Sequence, residues 1–269
     1  MWRAESPHGW ACREASLPED LHHAALASTG HSLILAGGFN GGYTQIWRMR
    51  ERVYRLRDSA WEPYVSLPQP QAEGVFAASP AGNLHLATGQ TPKSESNGSR
   101  DDHHETRDHW ILGDGASSWE SLAPVPTARN SATGGWIGNQ LVVTGGRTSK
   151  GNLDVTEIYD AGEDRWRTAA PMPTPQAGTA SVVVGNSLLV FGGEIFVPDA
   201  AVFSQCYRYQ LDRDQWDAIP DMVTPRHGLG AGVLGNAVYV VGGATKPSGR
   251  GTSDANEALL FSSIAGLGY

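Results

Sequence analysis

Cysteine is nearly absent from this chain, with Cys12 and Cys206 the two in 269 residues. A disulfide framework is therefore not expected, and two buried thiols are. No apolar run reaches the length of a membrane span, and the opening MWRAESPHGW has no basic-then-apolar leader. A soluble chain in the cytoplasm, without membrane contact, is the expectation. Positive charge is in deficit: 20 Lys and Arg against 28 Asp and Glu leave a net −8. Nucleic-acid and anionic-membrane binding need clustered cations and are not expected either. Helical periodicity is missing along the whole length. What abounds is glycine, 33 residues beside an apolar content of 40%, as befits an all-β chain of short strands and tight turns.

One short pattern recurs five times: GHSLILAGG from Gly30, GNLHLATGQ from Gly82, GNQLVVTGG from Gly138, GNSLLVFGG from Gly185 and GNAVYVVGG from Gly235. The later glycines, Gly37, Gly89, Gly145, Gly192 and Gly242, stand 52, 56, 47 and 50 residues apart. A second mark keeps step. Tyr54, Tyr159 and Tyr209 each precede a tryptophan (Trp61, Trp166, Trp216) by seven residues, and Leu112 and Trp119 fill the same slots. Six residues past each Trp comes Leu67, Val125, Met172 or Met222, then a proline-bearing turn.

Paired glycines, then tyrosine, then tryptophan at a period near 50 resemble the kelch repeat of β-propellers. The resemblance covers nearly the whole chain and implies an all-β kelch-type β-propeller of five four-stranded blades. The expected blades span about 21–70, 71–128, 129–175, 176–225 and 226–263, the last completed by 1–20. No Trp follows the final strand-like run EALLFSS, whereas Trp10 opens the chain ahead of Leu17 and Pro18. The N-terminal segment is thus expected to supply the outer strand of the last blade and close the ring. The aromatic rings should fill the space between sheets, each polar OH or NH reaching a backbone partner.

In the propeller that the resemblance implies, the loop into each blade and the loop after its second strand share one face, at the channel mouth. Long insertions fall there: Phe39–Met49, Thr91–Asp108, Ile195–Phe203 and Ala244–Ala255. Aligned slots at the blade entries hold His22, Ala72, Asn130, Ala177 and His227, preceded by Leu21, Gln71, Arg129, Gln176 and Arg226. Two residues past the aligned glycines come Phe39, Thr91, Arg147, Glu194 and Ala244. The candidate binding set is His22, Trp47, Arg129, Asn130, Arg147, Gln176, Glu194, Arg226 and His227. Arginine forks suit carboxylates, although an arginine bonded to blade carbonyls is a competing role for Arg129, Arg147 and Arg226. Histidines shuttle protons near neutrality, and Trp47 and Phe39 are suited to stack on a sugar or anchor a protein.

DDHHETRDH, with His103, His104 and His109, lies in a polar run without fixed ligand spacing, so no metal and no other cofactor is expected. Asn97-Gly-Ser is a glycosylation acceptor only in a secretory setting. Two functions compete. The first is a non-catalytic recognition module for a protein, a peptide or a small acidic or carbohydrate ligand. The second is a sugar-acid mutarotase, suggested by the weaker similarity to the stand-alone bacterial sialic-acid mutarotases through Gly192-Gly193-Glu194. There Glu194 and His227 would move protons while Arg147 or Arg226 holds the carboxylate. A monomer is expected in either case.

Overall fold

The computed structural model describes residues 2–4, 11–13, 15–40 and 45–266. Its contacts fall into two compact units, Met1–Asn130 and Ser131–Tyr269. Each is built from antiparallel meanders, and the only helical turns among the described residues are short 3-10 pieces at Arg100–Asp102 and Phe261–Ser263.

In the first unit, one sheet runs Ala25–Ser28, Leu33–Ala36, Val53–Arg57 and Ala60–Pro63. The next runs Val75–Ala78, Leu84–Ala87, His109–Leu112 and Glu120–Ser121. Alternation sends Ala27, Ile34, Ala36 and Val53 from the first sheet against Phe76, Leu84, Leu86 and Leu112 from the second. The second unit repeats the plan with five-residue strands. Its third sheet is Thr133–Ile137, Gln140–Thr144, Thr156–Asp160 and Arg165–Ala169; its fourth is Ala180–Val184, Ser187–Phe191, Cys206–Gln210 and Gln215–Ile219. Ile137, Val142 and Ile158 pack on Leu188, Val190, Tyr207 and Tyr209. Leu189, Phe191 and Cys206 pack in turn on Val238 and Val240 of the fifth sheet. Burial pushes the free Cys206 thiol up to about 12, so it behaves as an inert apolar filler.

The fifth sheet has three strands among the described residues, Gly230–Leu234, Ala237–Val241 and Asn256–Leu260. Trp10, on which an outer strand from the N-terminal segment is expected to begin, lies outside the described residues. The residues just after it, Ala11–Arg13, pair with Trp2–Ala4 as a hairpin.

Two of the aromatic expectations need refinement. Trp119 and Trp216 donate from Nε1 to the backbone oxygens of Val65 (3.1 Å) and Ala170 (2.9 Å), stitching each sheet to the one before. The tyrosines do otherwise. Tyr159 and Tyr209 donate to carboxylates, Asp164 at 2.9 Å and Asp214 at 2.6 Å. Those aspartates hold left-handed backbone in the following turn, φ 46° and 48°, a conformation Asp tolerates well. Asp214 also accepts from Ala170 N at 2.8 Å, so one carboxylate joins two sheets. The equal Tyr–Trp spacing also hides two registers. Tyr159 faces Trp166 and Tyr209 faces Trp216, but Tyr54 faces Pro63, because Asp58 and Ser59 close a two-residue turn. Both have positive φ, as a tight hairpin of that type requires.

The glycine pairs end each second strand and tie it to the entry of the next repeat. Gly38 N donates to Gln71 O (3.0 Å), Gly89 to Arg129 O (2.8 Å), Gly146 to Gln176 O (2.8 Å) and Gly193 to Arg226 O (2.9 Å). This places Gly89 in the second glycine slot, not the first. Thr88, at φ 62°, takes the first slot that Gly37, Gly145, Gly192 and Gly242 hold elsewhere. The second copy is one residue shorter before its strand, GNL against GHSL, and the alignment slips by one there. The residue equivalent to Phe39, Glu194 and Ala244 is therefore Gln90, whose partner is Ala72. Thr91 drops out of the set.

Gly193 has little freedom to change. At φ 114° a Cβ would fall 2.8 Å from Thr179 Cγ2 and 2.9 Å from Ala177 O. Gly193→Ala is expected to lower stability by about 3 kcal/mol through backbone strain and overpacking together. Urea unfolding checks this; an unchanged midpoint would refute the close approach.

Candidate functional site

The segments after the glycine pairs, read as loops from sequence, fold back as short hairpins. Those of the second unit pair Arg147–Thr148 with Gly151–Asn152, Glu194–Ile195 with Ala201–Val202, and Ala244–Lys246 with Arg250–Thr252. Each entry slot clips onto a hairpin base: Ala177 bridges Glu194 and His227 bridges Ala244. The sheet ends thus fix where these side chains start.

Glu194 is the hub. Its carboxylate is buried, and both oxygens are engaged. Oε1 accepts from Arg147 Nη1 at 2.7 Å, and Oε2 accepts from the Ser248 backbone N–H at 3.0 Å. His227 Nε2 stands 3.5 Å from Oε2 and 3.1 Å from Lys246 O. A carbonyl only accepts, so Nε2 carries the proton. Asn152 Nδ2 donates to the Glu194 backbone oxygen at 2.6 Å and to Pro175 O at 3.3 Å. A buried carboxylate persists only with such donors around it. Arg147 is different. It keeps 19% of its side chain exposed, and its guanidinium carbon lies 5.0 Å from the Phe196 ring centroid. Among the described residues, its remaining fork donors have no hydrogen-bond partner. Phe196 and the adjacent Val197 are both exposed.

Of the expected set, then, Arg147, Glu194 and His227 come together. Arg226 does not join them. It is wholly buried, and its guanidinium bonds Gly242 O (2.7 Å), Ala255 O (2.9 Å), Thr224 O (3.3 Å), Val240 O (3.4 Å) and Glu257 Oε1 (3.2 Å). A cation enclosed by carbonyls of its own sheet has nothing left for a ligand. Gln176 holds the same slot one repeat earlier and is equally buried. Sequence reading missed Asn152, Phe196, Lys246 and Ser248. Lys246 and Ser248 bond through backbone atoms, which leave no trace in residue type.

In the first unit, Arg129 and Asn130 are buried, and the Arg129 carbonyl receives Gly89 N–H. His22 donates from Nε2 to Ile46 O (2.6 Å) and meets His23 Nδ1 at 2.7 Å through Nδ1. It stacks on Phe39 and meets Trp47 edge-on. One face of Trp47 is covered by Arg100, whose guanidinium carbon is 3.8 Å from the ring centroid. That face is closed to a sugar ring, and the first insertion packs against the second.

Five glycine-gated repeats with this tyrosine–tryptophan stitching are now joined by a direct match. Residues 97–243, more than half the chain, match the family model described as KLHDC2/KLHL20/DRC7 Kelch-repeats domain. The chain belongs to the kelch-repeat family. Its fold is the all-β propeller type built of kelch blades, a fold that generally serves to bind proteins. No curated protein matches the chain significantly. No helix of the described residues is long and apolar enough to cross a membrane.

The histidines of DDHHETRDH are separated by the second kelch repeat rather than gathered. His103 and His104 lie on a hairpin strand, alternating in and out, with His103 Nε2 3.3 Å from Asn97 Oδ1. His109 belongs to the sheet itself, where its Nε2 faces His85 Nδ1 at 3.0 Å in the interior. Burial first, and the neighbouring His109 second, lower His85 from 6.5 to about 3. Between those values the unfolded chain binds a proton that the folded chain refuses. Stability present above pH 6.5 is therefore lost as pH falls toward 3, with a slope up to about 1.4 kcal/mol per pH unit. His85→Gln should flatten that part of the stability curve, read by denaturant unfolding at stepped pH; parallel curves would rule out His85 as the source.

Proposed function

We propose that this kelch chain is a non-catalytic recognition module that grips an acidic segment of a partner protein or peptide. The contact surface is formed by the hairpins beginning at Arg147 and Glu194. The observation that carries the reading is the Arg147 fork. One arm is fixed by a buried carboxylate, the other donors are without a protein partner among the described residues, and an exposed Phe196 lies alongside. A cation held rigidly beside an apolar ring suits a carboxylate followed or preceded by an apolar residue. Preorganisation by Glu194, Asn152 and Ser248 lowers the ordering cost on binding.

The mutarotase alternative draws less support. Proton transfer needs an acid or base that a substrate can reach, and Glu194 is buried with its carboxylate held by Arg147 and the Ser248 backbone N–H. His227 Nε2 is directed to Lys246 O. Arg226, one of the two arginines assigned to a sugar carboxylate, is enclosed by backbone carbonyls.

Labelled peptide pools carrying Asp and Glu, compared with the same pools carrying Asn and Gln, test the proposal by fluorescence anisotropy. The acidic pools should bind more tightly. Arg147→Lys keeps a charge beside Glu194 but loses the planar fork, and Phe196→Ala removes the ring; each should weaken binding roughly tenfold or more. Equal affinity for both pools, or variants that bind like the parent, would overturn it.

A further inference from the structure

One slot on the third strand of a sheet is filled differently from repeat to repeat. Register identifies it: Ile158 faces Val142, Arg208 faces Leu189 and Arg55 faces Ile34, each partner four residues past the first glycine of its repeat. In the third sheet the slot holds an aliphatic side chain, Ile158, buried against the fourth sheet. In the fourth it holds Arg208, whose charge is answered within the fold. Nη2 donates to Asp217, the cross-strand neighbour, at 2.8 Å, and Nη1 donates to Ala265 O at 2.7 Å.

The first sheet also has an arginine there, with a weaker answer. The cross-strand neighbour of Arg55 is Glu62, and Arg55 Nη2 stops 4.0 Å from Glu62 Oε2, beyond hydrogen-bond reach. Arg55 Nε is buried and, among the described residues, has no hydrogen-bond partner. The guanidinium carbon lies 4.9 Å from the Tyr64 ring centroid.

Beside Arg55, between the first sheet and the second, lies a cavity of about 220 Å³. Its floor is apolar: Ile34, Leu84 and Leu112 line it and are all buried. Its rim carries both signs of charge. Arg55 and Arg57, two apart on one strand, stand on the side of the first sheet, near the exposed His31. Asp114, in the exposed turn after His109–Leu112, stands on the side of the second. Among the described residues, neither the Arg57 nor the Asp114 side chain has a hydrogen-bond or ionic partner. A bare anion would meet Asp114, and a bare cation would meet two arginines. A zwitterion with an apolar tail answers both walls and the floor. Size agrees, since a cavity of about 150 Å³ holds the six carbons of benzene. This larger one suits a molecule of roughly nine non-hydrogen atoms, the number in leucine.

We propose that the cavity binds a free aliphatic α-amino acid of the size of leucine. Its carboxylate meets Arg55 and Arg57, its ammonium meets Asp114, and its side chain covers Ile34, Leu84 and Leu112. The site lies wholly within the first unit and is independent of the Arg147 surface.

Amide NMR of the isotope-labelled full chain, titrated with leucine to about 10 mM, covers a Kd of ~1 mM. Resonances of residues 29–32 and 113–114 should move and saturate. Isocaproate lacks the ammonium and isoamylamine lacks the carboxylate. Each leaves one charged wall unanswered and should bind roughly tenfold or more weakly. Arg55→Gln and Asp114→Asn should each weaken leucine binding by a similar factor. Urea unfolding checks that the variants keep their stability, and Arg57→Gln, at an exposed position, replaces Arg55→Gln if that one does not. Absent or scattered shifts with leucine, equal affinity for isocaproate, or variants that bind like the parent would each overturn the proposal.

Discussion

Everything in this fold leans on one hydrogen bond per repeat: the second glycine N–H of a pair, donated to the carbonyl of the residue that opens the next repeat. Among the described residues four such bonds occur, from Gly38, Gly89, Gly146 and Gly193. The left-handed turn that aims each N–H is open to glycine at little cost and closed to most other residues. With sheet end and entry residue joined, the side chain after that entry residue can only sit over the adjoining hairpin. The positions of Ala177 over Glu194 and of His227 over Ala244 result from this. Two of the entry residues also bond nearby carbonyls through buried polar side chains. Arg226 braces the carbonyls of Gly242, Ala255 and Val240, while Gln71 reaches one carbonyl, that of Thr88.

The electrostatics of the candidate site grow from the same constraint. Glu194 begins a hairpin whose base is clipped to Ala177, so its carboxylate cannot retreat to solvent and gathers donors instead. Arg147, Ser248 and Asn152 converge on this one residue from the hairpins on either side of it. The result is a stiff polar node beneath exposed apolar tips. A node of this sort orients Arg147 far better than a surface arginine could be oriented by solvent.

Much of this was legible in the chain. The glycine period marked every second strand, and the tryptophans marked the fourth. Reading failed where backbone geometry rather than residue type decides. The second repeat lost one residue before its strand, so Thr91 was placed where Gln90 belongs, and Thr88 adopts a conformation usually left to glycine. Tyr54 and Tyr159 share a spacing to tryptophan but not a register, because the turns between them differ in length. Arg147 and Arg226 look alike in sequence, yet one borders solvent and the other is enclosed by carbonyls. The short hairpins left no periodic signal, since two or three residues per strand are too few to show alternation.

Asn97 carries a consequence of another kind. Its side-chain amide brackets Met49 as a strand would, accepting Met49 N–H at 2.9 Å and donating to Met49 O at 3.1 Å. The nitrogen that donates is the one a glycan would occupy. Sugar attachment there is incompatible with the clasp, so the Asn-Gly-Ser triplet acts as a fastener between two repeats of the first unit, and the serine beside it is incidental to that role.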